Sequence, residues 1–376
     1  MIPLFKVAMN KDIDNDLLSV IHSGFITQGK KVEEFEEKLK QFFNHPYILT
    51  LNSATSGLTI AHRILKDITG CQEVLSTPLT CFATNVPILA NEMKIKWVDI
   101  DKETCNIDLD DLKQKITKET KILAFVHWAG NPIDYKKLNQ IIDEKEREFG
   151  FRVQIVEDCA HGFYSFYDRS PIGTFGNISV FSLQAIKHLT TGDGGLIFLP
   201  NEEMYERAKL LRWYGIDRDK RNYKQKDLRL ENDVTDWGYK FHMNDINATI
   251  GISNMENILD NINKHKTNWN CFNNAFRDLN NIKTLKYYGE SSSWIYTLIV
   301  NDAEHFIQYM KERDIMASQV HKRNDLHSCV AEFKANLPHM DELENRYVCI
   351  PCGWWVHQEE RNYIIKTICE YDNNEF

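Results

Sequence analysis

Apolar side chains at Val32, Phe35, Leu39, Phe42 and Phe43 recur at the spacing of one helix face, so "VEEFEEKLKQFF" (32–43) is expected to be helical. "YILTL" (47–51) changes the pattern to a short continuous apolar run, the mark of a buried strand. A small-residue turn, "NSATSG" (52–57), leads into a second helix, "LTIAHRILKD" (58–67), with Ala54 and Thr55 at its approach. The alternation continues. Runs at 73–77, 95–101, 121–128, 152–159, 177–183 and 195–199 read as strands, and segments at 81–91, 108–116, 134–148 and 201–213 as helices. This predicts an α/β fold with a mainly parallel sheet flanked by helices. Ligands bind such sheets beyond the C-terminal ends of the strands.

The pattern changes after about residue 255. "WIYTLIV" (294–300) predicts a strand, "AEHFIQYMKERDI" (303–315) an amphipathic helix and "HQEERNYIIKTICEY" (357–371) a last helix. A large domain over 1–255, N-terminal segment included, and a smaller C-terminal α/β domain over 256–376 are expected. A chain of 376 residues supports more than one core. "DRDKRNYKQKDLRLEND" (217–233) reads as a solvated charged loop.

Composition narrows the function classes. A net charge of −9, with no basic recognition helix and no zinc-type spacing, argues against a nucleic-acid partner. No apolar run approaches the roughly 18 residues of a membrane span. "MIPLFKVAMNKDIDNDLL" lacks the basic stretch and long apolar core of a targeting peptide, so a cytoplasmic protein is expected. Nine cysteines, an odd and scattered set, read as free thiols. Cys349 and Cys352 form a C-x-x-C with no second pair, so they are expected as buried thiols and no metal site is assigned.

The strand ends collect Asn52 to Ser56, His127, Asp158, His161, Ser182 and Lys187 on one rim. Each has an ordinary explanation: a solvated lysine, a helix-capping Asp, Ser or Thr, a packed histidine. Together they offer what a pyridoxal cofactor needs. Lys187 supplies an amine able to condense with an aldehyde. Asp158 supplies a carboxylate to keep the ring nitrogen protonated. Ala54 and Thr55 at a helix start, with the Ser182 hydroxyl, suit a phosphate. His161 suits the phenolic oxygen or the ring.

"SGFITQGKKVEEFEEKL", "LNSATSGLTIAH", "TPLTCFATNVPIL", "VDIDKETCNID", "VEDCAHGF", "FSLQAIKHLTTGDGGL" and "GYKFHMNDINATIGI" resemble, in order, the successive motifs of the DegT/DnrJ/EryC1/StrS group of pyridoxal-phosphate-dependent sugar aminotransferases. The resemblance runs from about residue 2 to 366. It implies a type I aminotransferase fold and a homodimer with shared active sites. Lys187 would carry the cofactor, Asp158 would meet its ring nitrogen, and Ala54, Thr55 and Ser182 its phosphate. His161 stands where relatives often have Gln. Cys81, followed by Phe82, stands where an aromatic commonly covers the ring. His242 stands where an Asn commonly reaches the neighbouring subunit's phosphate. Phe25 and Thr27 would line the substrate, Arg323 would meet a nucleotide diphosphate and His327 the sugar. Relatives with His in place of the lysine dehydrate sugars; the retained Lys187 implies amino transfer. The implied reaction takes nitrogen from L-glutamate to C4 of an NDP-4-keto-6-deoxyhexose, giving a viosamine- or perosamine-type product. Amination at C3 or of a keto-octulosonate, and a non-catalytic cofactor-binding sensor, are the alternatives.

Overall fold

The computed structural model describes residues 1–218 and 233–373. Most of the charged loop expected at 217–233 therefore lies outside the described residues. The first helices are α1 (Asp14–His22), α2 (Lys30–Phe43), α3 (Ala54–Thr69) and α4 (Phe82–Ala90), interleaved with strands β1 (Ile48–Leu51), β2 (Glu73–Ser76) and β3 (Lys94–Trp97). Then come α5 (Leu109–Lys115), β4 (Ile122–Val126), α6 (Tyr135–Phe149), β5 (Gln154–Asp158), a small hairpin of β6 (Phe166–Tyr167) and β7 (Ser170–Pro171), β8 (Ile178–Ser182), β9 (Gly195–Phe198) and α7 (Glu202–Arg212). The remainder is α8 (Asp245–Met255), α9 (Ile258–Phe276), β10 (Lys283–Thr284), β11 (Tyr296–Ile299), α10 (Ala303–Lys311), α11 (Pro338–Leu343), β12 (Tyr347–Ile350) and α12 (Gln358–Asn373).

Seven strands form the main sheet in the order β1-β9-β8-β5-β4-β2-β3. Neighbours from β8 to β3 run parallel, as the strand–helix alternation predicts, whereas β9 is antiparallel to both β8 and β1. The reason is local. Between β8 and β9 there is no crossover helix, and without one a chain can only return antiparallel. Residues 183–194 leave the sheet from the facing pair Ser182 and Gly195 and return to it. Hydrogen bonds from Leu183 N–H to Gly194 O (2.9 Å) and from Thr191 N–H to Leu183 O (3.0 Å) close the loop at its base. Lys187 stands in this loop.

Both faces of the sheet are covered, so successive residues of one strand enter different cores. Val180 and Ile197 face a core with Ile60 and Ile64 of α3, while Phe181 and Phe198 face one with Phe35 and Leu39 of α2. This explains why the strands read as unbroken apolar runs. Burying each such side chain stabilises the fold by about 1.5–3 kcal/mol.

β10, β11 and β12 make a second, antiparallel sheet. One of its faces packs Tyr296, Leu298, Val348 and Ile350 against Phe272 and Phe276 of α9 and Ile364 and Ile368 of α12. Ile295, Ile299, Tyr347 and Cys349 instead join the core beneath the main sheet. The N-terminal segment lies along this C-terminal unit. Ile2 N–H donates to Asp314 O (2.6 Å), Met316 N–H donates to Ile2 O (3.0 Å), and the Trp355 indole donates to Pro3 O (2.9 Å). Among the described residues no helix is long and apolar enough to cross a membrane.

Candidate active site

Asp158 ends β5 at the centre of the sheet and is 3% exposed. Its Oδ1 accepts from Ala160 N–H (2.9 Å) and its Oδ2 from the Thr84 hydroxyl (2.6 Å), while Thr80 donates in turn to Thr84 (2.6 Å). Burial pushes the carboxyl above its ordinary value, against those hydrogen bonds and the charge of Lys187. A carboxylate held this way favours a cationic partner.

The Lys187 side chain turns inward across Trp294, with Nζ 3.4 Å from the ring centroid. Loss of water pulls its amine down to about 7, against the attraction of Asp158 and Cys81. Trp294 is fixed to the same loop by its indole N–H, which donates to Ile186 O (2.9 Å). It belongs to a row of four stacked rings. Phe5 lies 4.9 Å from Trp294, Trp294 lies 4.2 Å from His161, and His161 lies 5.5 Å from His321 at an interplanar angle of 8°. Trp128 stands edge-on to both His161 and His321. Burial first, then Lys187 and His321, hold His161 well below the usual histidine value, so its ring is neutral.

α3 begins inside the expected small-residue turn. Ser53 caps it by accepting Ser56 N–H (3.1 Å), and Ala54 and Thr55 are its first residues. Their N–H groups are among those a helix start leaves without intrahelical acceptors. A Cβ on Gly195 would sit 2.5 Å from Ala54 N, so only glycine lets β9 pass this close to the helix start. Ser182, at the end of β8, is buried, and its hydroxyl accepts a long bond from Gln184 N–H (3.3 Å). The sheet thus gathers Asp158, Lys187, His161, Ser182 and the start of α3.

Other expected residues fall further out. Cys81 is half-buried at the N-cap of α4. His242 forms a β-bridge with Leu51 and packs edge-on against Trp213 at 4.0 Å. Burial, then Lys240, Arg212 and Arg218, lowers it to about 4. Phe25 and Thr27 are exposed on the segment before α2, near the start of α8, where Asp245 N–H donates to Thr27 O (3.1 Å). His327 packs on Phe82 at 4.8 Å.

Two expectations change. Arg323 is not a free cation at the site mouth: it is 5% exposed and makes four hydrogen bonds to Asp325, Asp341 and Glu344. Those carboxylates hold its guanidinium charged against its burial. His127 does not join the rim either. It is wholly buried with Glu157, which also accepts from Tyr135 (2.6 Å) and Asn177 (2.5 Å). In the C-x-x-C, both thiols are buried without a disulfide, and burial pushes Cys349 up to about 12 and Cys352 higher still. Thr84, Trp294 and His321 are the site residues that the sequence reading passed over. Thr84 lay in the quoted "TPLTCFATNVPIL", two residues past Phe82. The other two reach the site through tertiary contacts that no local pattern reports.

Known proteins share the sequence pattern and the fold. The family model described as the DegT/DnrJ/EryC1/StrS aminotransferase family matches residues 7–369. The crystal structure of AtS13 from Actinomadura melliaura superposes with a TM-score of 0.94 at 42% identity, covering 98% of each chain. The UDP-4-amino-4,6-dideoxy-N-acetyl-beta-L-altrosamine transaminase of Campylobacter jejuni is 30% identical over 296 residues, 77% of this chain and 73% of its own. The UDP-4-amino-4-deoxy-L-arabinose–oxoglutarate aminotransferase of Shewanella sediminis is 30% identical over 257 residues, 68% of this chain and 64% of its own. The chain belongs to the DegT/DnrJ/EryC1/StrS aminotransferase family of pyridoxal-phosphate-dependent sugar aminotransferases.

Proposed function

We propose that this enzyme transfers the amino group of L-glutamate to C4 of an NDP-4-keto-6-deoxyhexose, giving a viosamine- or perosamine-type amino sugar. The observation that carries the reading is Lys187, an amine with a value of about 7 enclosed beside a buried carboxylate. The Campylobacter and Shewanella relatives are both named for 4-amino-4-deoxy sugars on UDP, and the second also for oxoglutarate, the keto partner of glutamate. Both names support C4, and the second supports the glutamate pair.

The residues fit pyridoxal phosphate. Lys187 would hold the cofactor by its amine. Asp158, raised by burial, gains from a protonated ring nitrogen the cation it lacks. The N–H groups of Ala54 and Thr55, with the Ser182 hydroxyl, suit its phosphate. His161, a neutral ring whose Nδ1 has no partner among the described residues, suits the phenolic oxygen. When bound, this cofactor supplies an electron sink for a carbanion beside the amino group.

The chain's own residues then manage protons. Near pH 7 the Lys187 amine both accepts and releases a proton. It takes the proton from the α-carbon of glutamate, and in the second half-reaction delivers one to the sugar carbon that carries the new nitrogen. Asp158, ionised, would keep the ring nitrogen protonated. The family resemblance further supports a homodimer in which the segment bearing His242 reaches the neighbouring phosphate. Phe25, 80% exposed, and Trp237, 60% exposed, are apolar surface of the kind a subunit interface covers.

The test is the visible absorbance of the purified protein. A band that bleaches with L-glutamate and returns with a 4-keto nucleotide sugar is expected. Lys187→Ala should lack that response and all turnover. A protein with no band after pyridoxal phosphate is added would overturn the reading, and a band restored only by 3-keto sugars would move the amination to C3.

A further inference from the structure

We propose that His188 is a positioning residue of this aminotransferase: its imidazole, bonded to the Ser292 carbonyl, fixes where the Lys187 amine sits. The loop from 183 to 194 contains no helix or strand, so individual bonds must set its course. The two chain neighbours of the lysine both reach one short segment, 291–294, which leads into β11. On one side the Ile186 carbonyl accepts from the Trp294 indole (2.9 Å). On the other, His188 Nε2 lies 3.0 Å from Ser292 O. Lys187 is therefore held between two bonds to a single support, and that support carries the ring on which its amine rests.

Chemistry fixes the direction of the His188 bond. Burial first, then His265, holds His188 well below the usual histidine value, so its ring is neutral. A carbonyl oxygen only accepts, so Nε2 carries the proton and donates it. Nδ1 is buried with no partner among the described residues, and the bond to Ser292 alone orients the ring.

The support is itself held firmly. His265 of α9 packs on His188 with ring centroids 4.8 Å apart, and its Nδ1 donates to the next carbonyl, Ser293 O (2.8 Å). The Ser291 hydroxyl donates to Ala129 O (3.0 Å), and Ser292 N–H donates to Ser165 Oγ (2.9 Å). All three serines of the segment are buried. Ser293 has a φ of 59°, a left-handed backbone that persists where its neighbours over-determine it.

Loss of the His188 bond would loosen the loop and let water reach the amine. The titratable groups that act on Lys187 are Asp158 on β5, Cys81 at the start of α4, and the rings of His161, His188 and His321. All three rings are uncharged near neutral pH, so removing His188 acts through hydration rather than through lost charge.

This inference rests on Lys187 as the residue that holds the cofactor, and its test separates the two. Uptake of pyridoxal phosphate by cofactor-free protein is followed by stopped-flow absorbance from about pH 5 to about pH 10. His188→Phe keeps a ring against His265 and removes the donor; His188→Ala removes both; His188→Gln offers an amide nitrogen to the same carbonyl. In the wild type the rate breaks at about 7. In His188→Phe and His188→Ala the break is expected to rise by about one pH unit, slowing uptake at about pH 6 roughly tenfold. His188→Gln should bring the break back towards the wild-type position. Thermal midpoints taken alongside report folding, and a change that only weakened the fold would leave the break in place. An unmoved break in either variant that lacks the donor, or an equal displacement in His188→Gln, would overturn the assignment. A Lys187→Ala protein that develops the wild-type band would remove Lys187 from its role, and this inference with it.

Discussion

At the scale of single residues, Lys187 owes its character to where the chain leaves it. An exposed lysine titrates near 10.5, whereas this amine is pulled down to about 7 by loss of water. Its neutral fraction therefore rises about tenfold per pH unit only up to that point. Uptake of pyridoxal phosphate by cofactor-free protein should climb to about pH 7 and then level off, as stopped-flow absorbance would record; a climb continuing to pH 10 would show a solvated amine. Arg323 makes the opposite case, a charge placed for structure. Arg323→Leu would leave Asp325 and two further carboxylates without their cation, at a cost of about 3–5 kcal/mol. The measurable result is a lower denaturation midpoint. A variant of normal stability with a raised KM for the nucleotide sugar would instead restore Arg323 to the substrate. Lys187, Asp158 and Ser182 were legible in sequence because each follows an apolar strand, and strand ends define the binding rim. Arg323 and His127 misled for one reason: a sequence shows that a charge or an imidazole is present, not which neighbours consume it.

At the scale of elements, the close pass of β9 beside the start of α3 shapes the part of the site proposed to hold the phosphate. Gly195→Ala would drive a methyl group into Ala54 N and the Ser53 carbonyl, all within 2.6 Å of the new carbon. The helix start must move, costing about 1–3 kcal/mol. Equilibrium titration should show weaker affinity for pyridoxal phosphate and little change in the lysine's pH profile. Unaltered affinity would mean that the helix start does not hold the phosphate. The strand runs were readable because both faces of the sheet are buried, but an apolar run has no direction. The antiparallel course of β9 follows from the missing crossover helix, a topological fact that its own residues do not carry. α9 was passed over although Ile258, Ile262, His265, Trp269, Phe272 and Phe276 keep steady helical spacing. Its many asparagines, which favour turns locally, masked that face, and tertiary packing on β11 decided the outcome.

At the scale of the whole molecule, several histidines are buried without charge. His62 in α3 has no partner for either ring nitrogen among the described residues and is held at about 3; His265 in α9 is held at about 4. The unfolded chain binds these protons first, near the ordinary value of 6.5. Stability that is complete above pH 6.5 is therefore lost as pH falls towards 4, at about 1.4 kcal/mol per pH unit for each such histidine. Thermal midpoints measured across that range should fall, and His62→Leu should make the fall shallower. An identical slope in the variant would show that His62 takes no part. The row of rings from Phe5 to His321 has a practical consequence of its own. It makes the first five residues, which run along the C-terminal unit, an extension of the reaction centre. Trimming them for crystallisation would strip one face from the indole under the lysine.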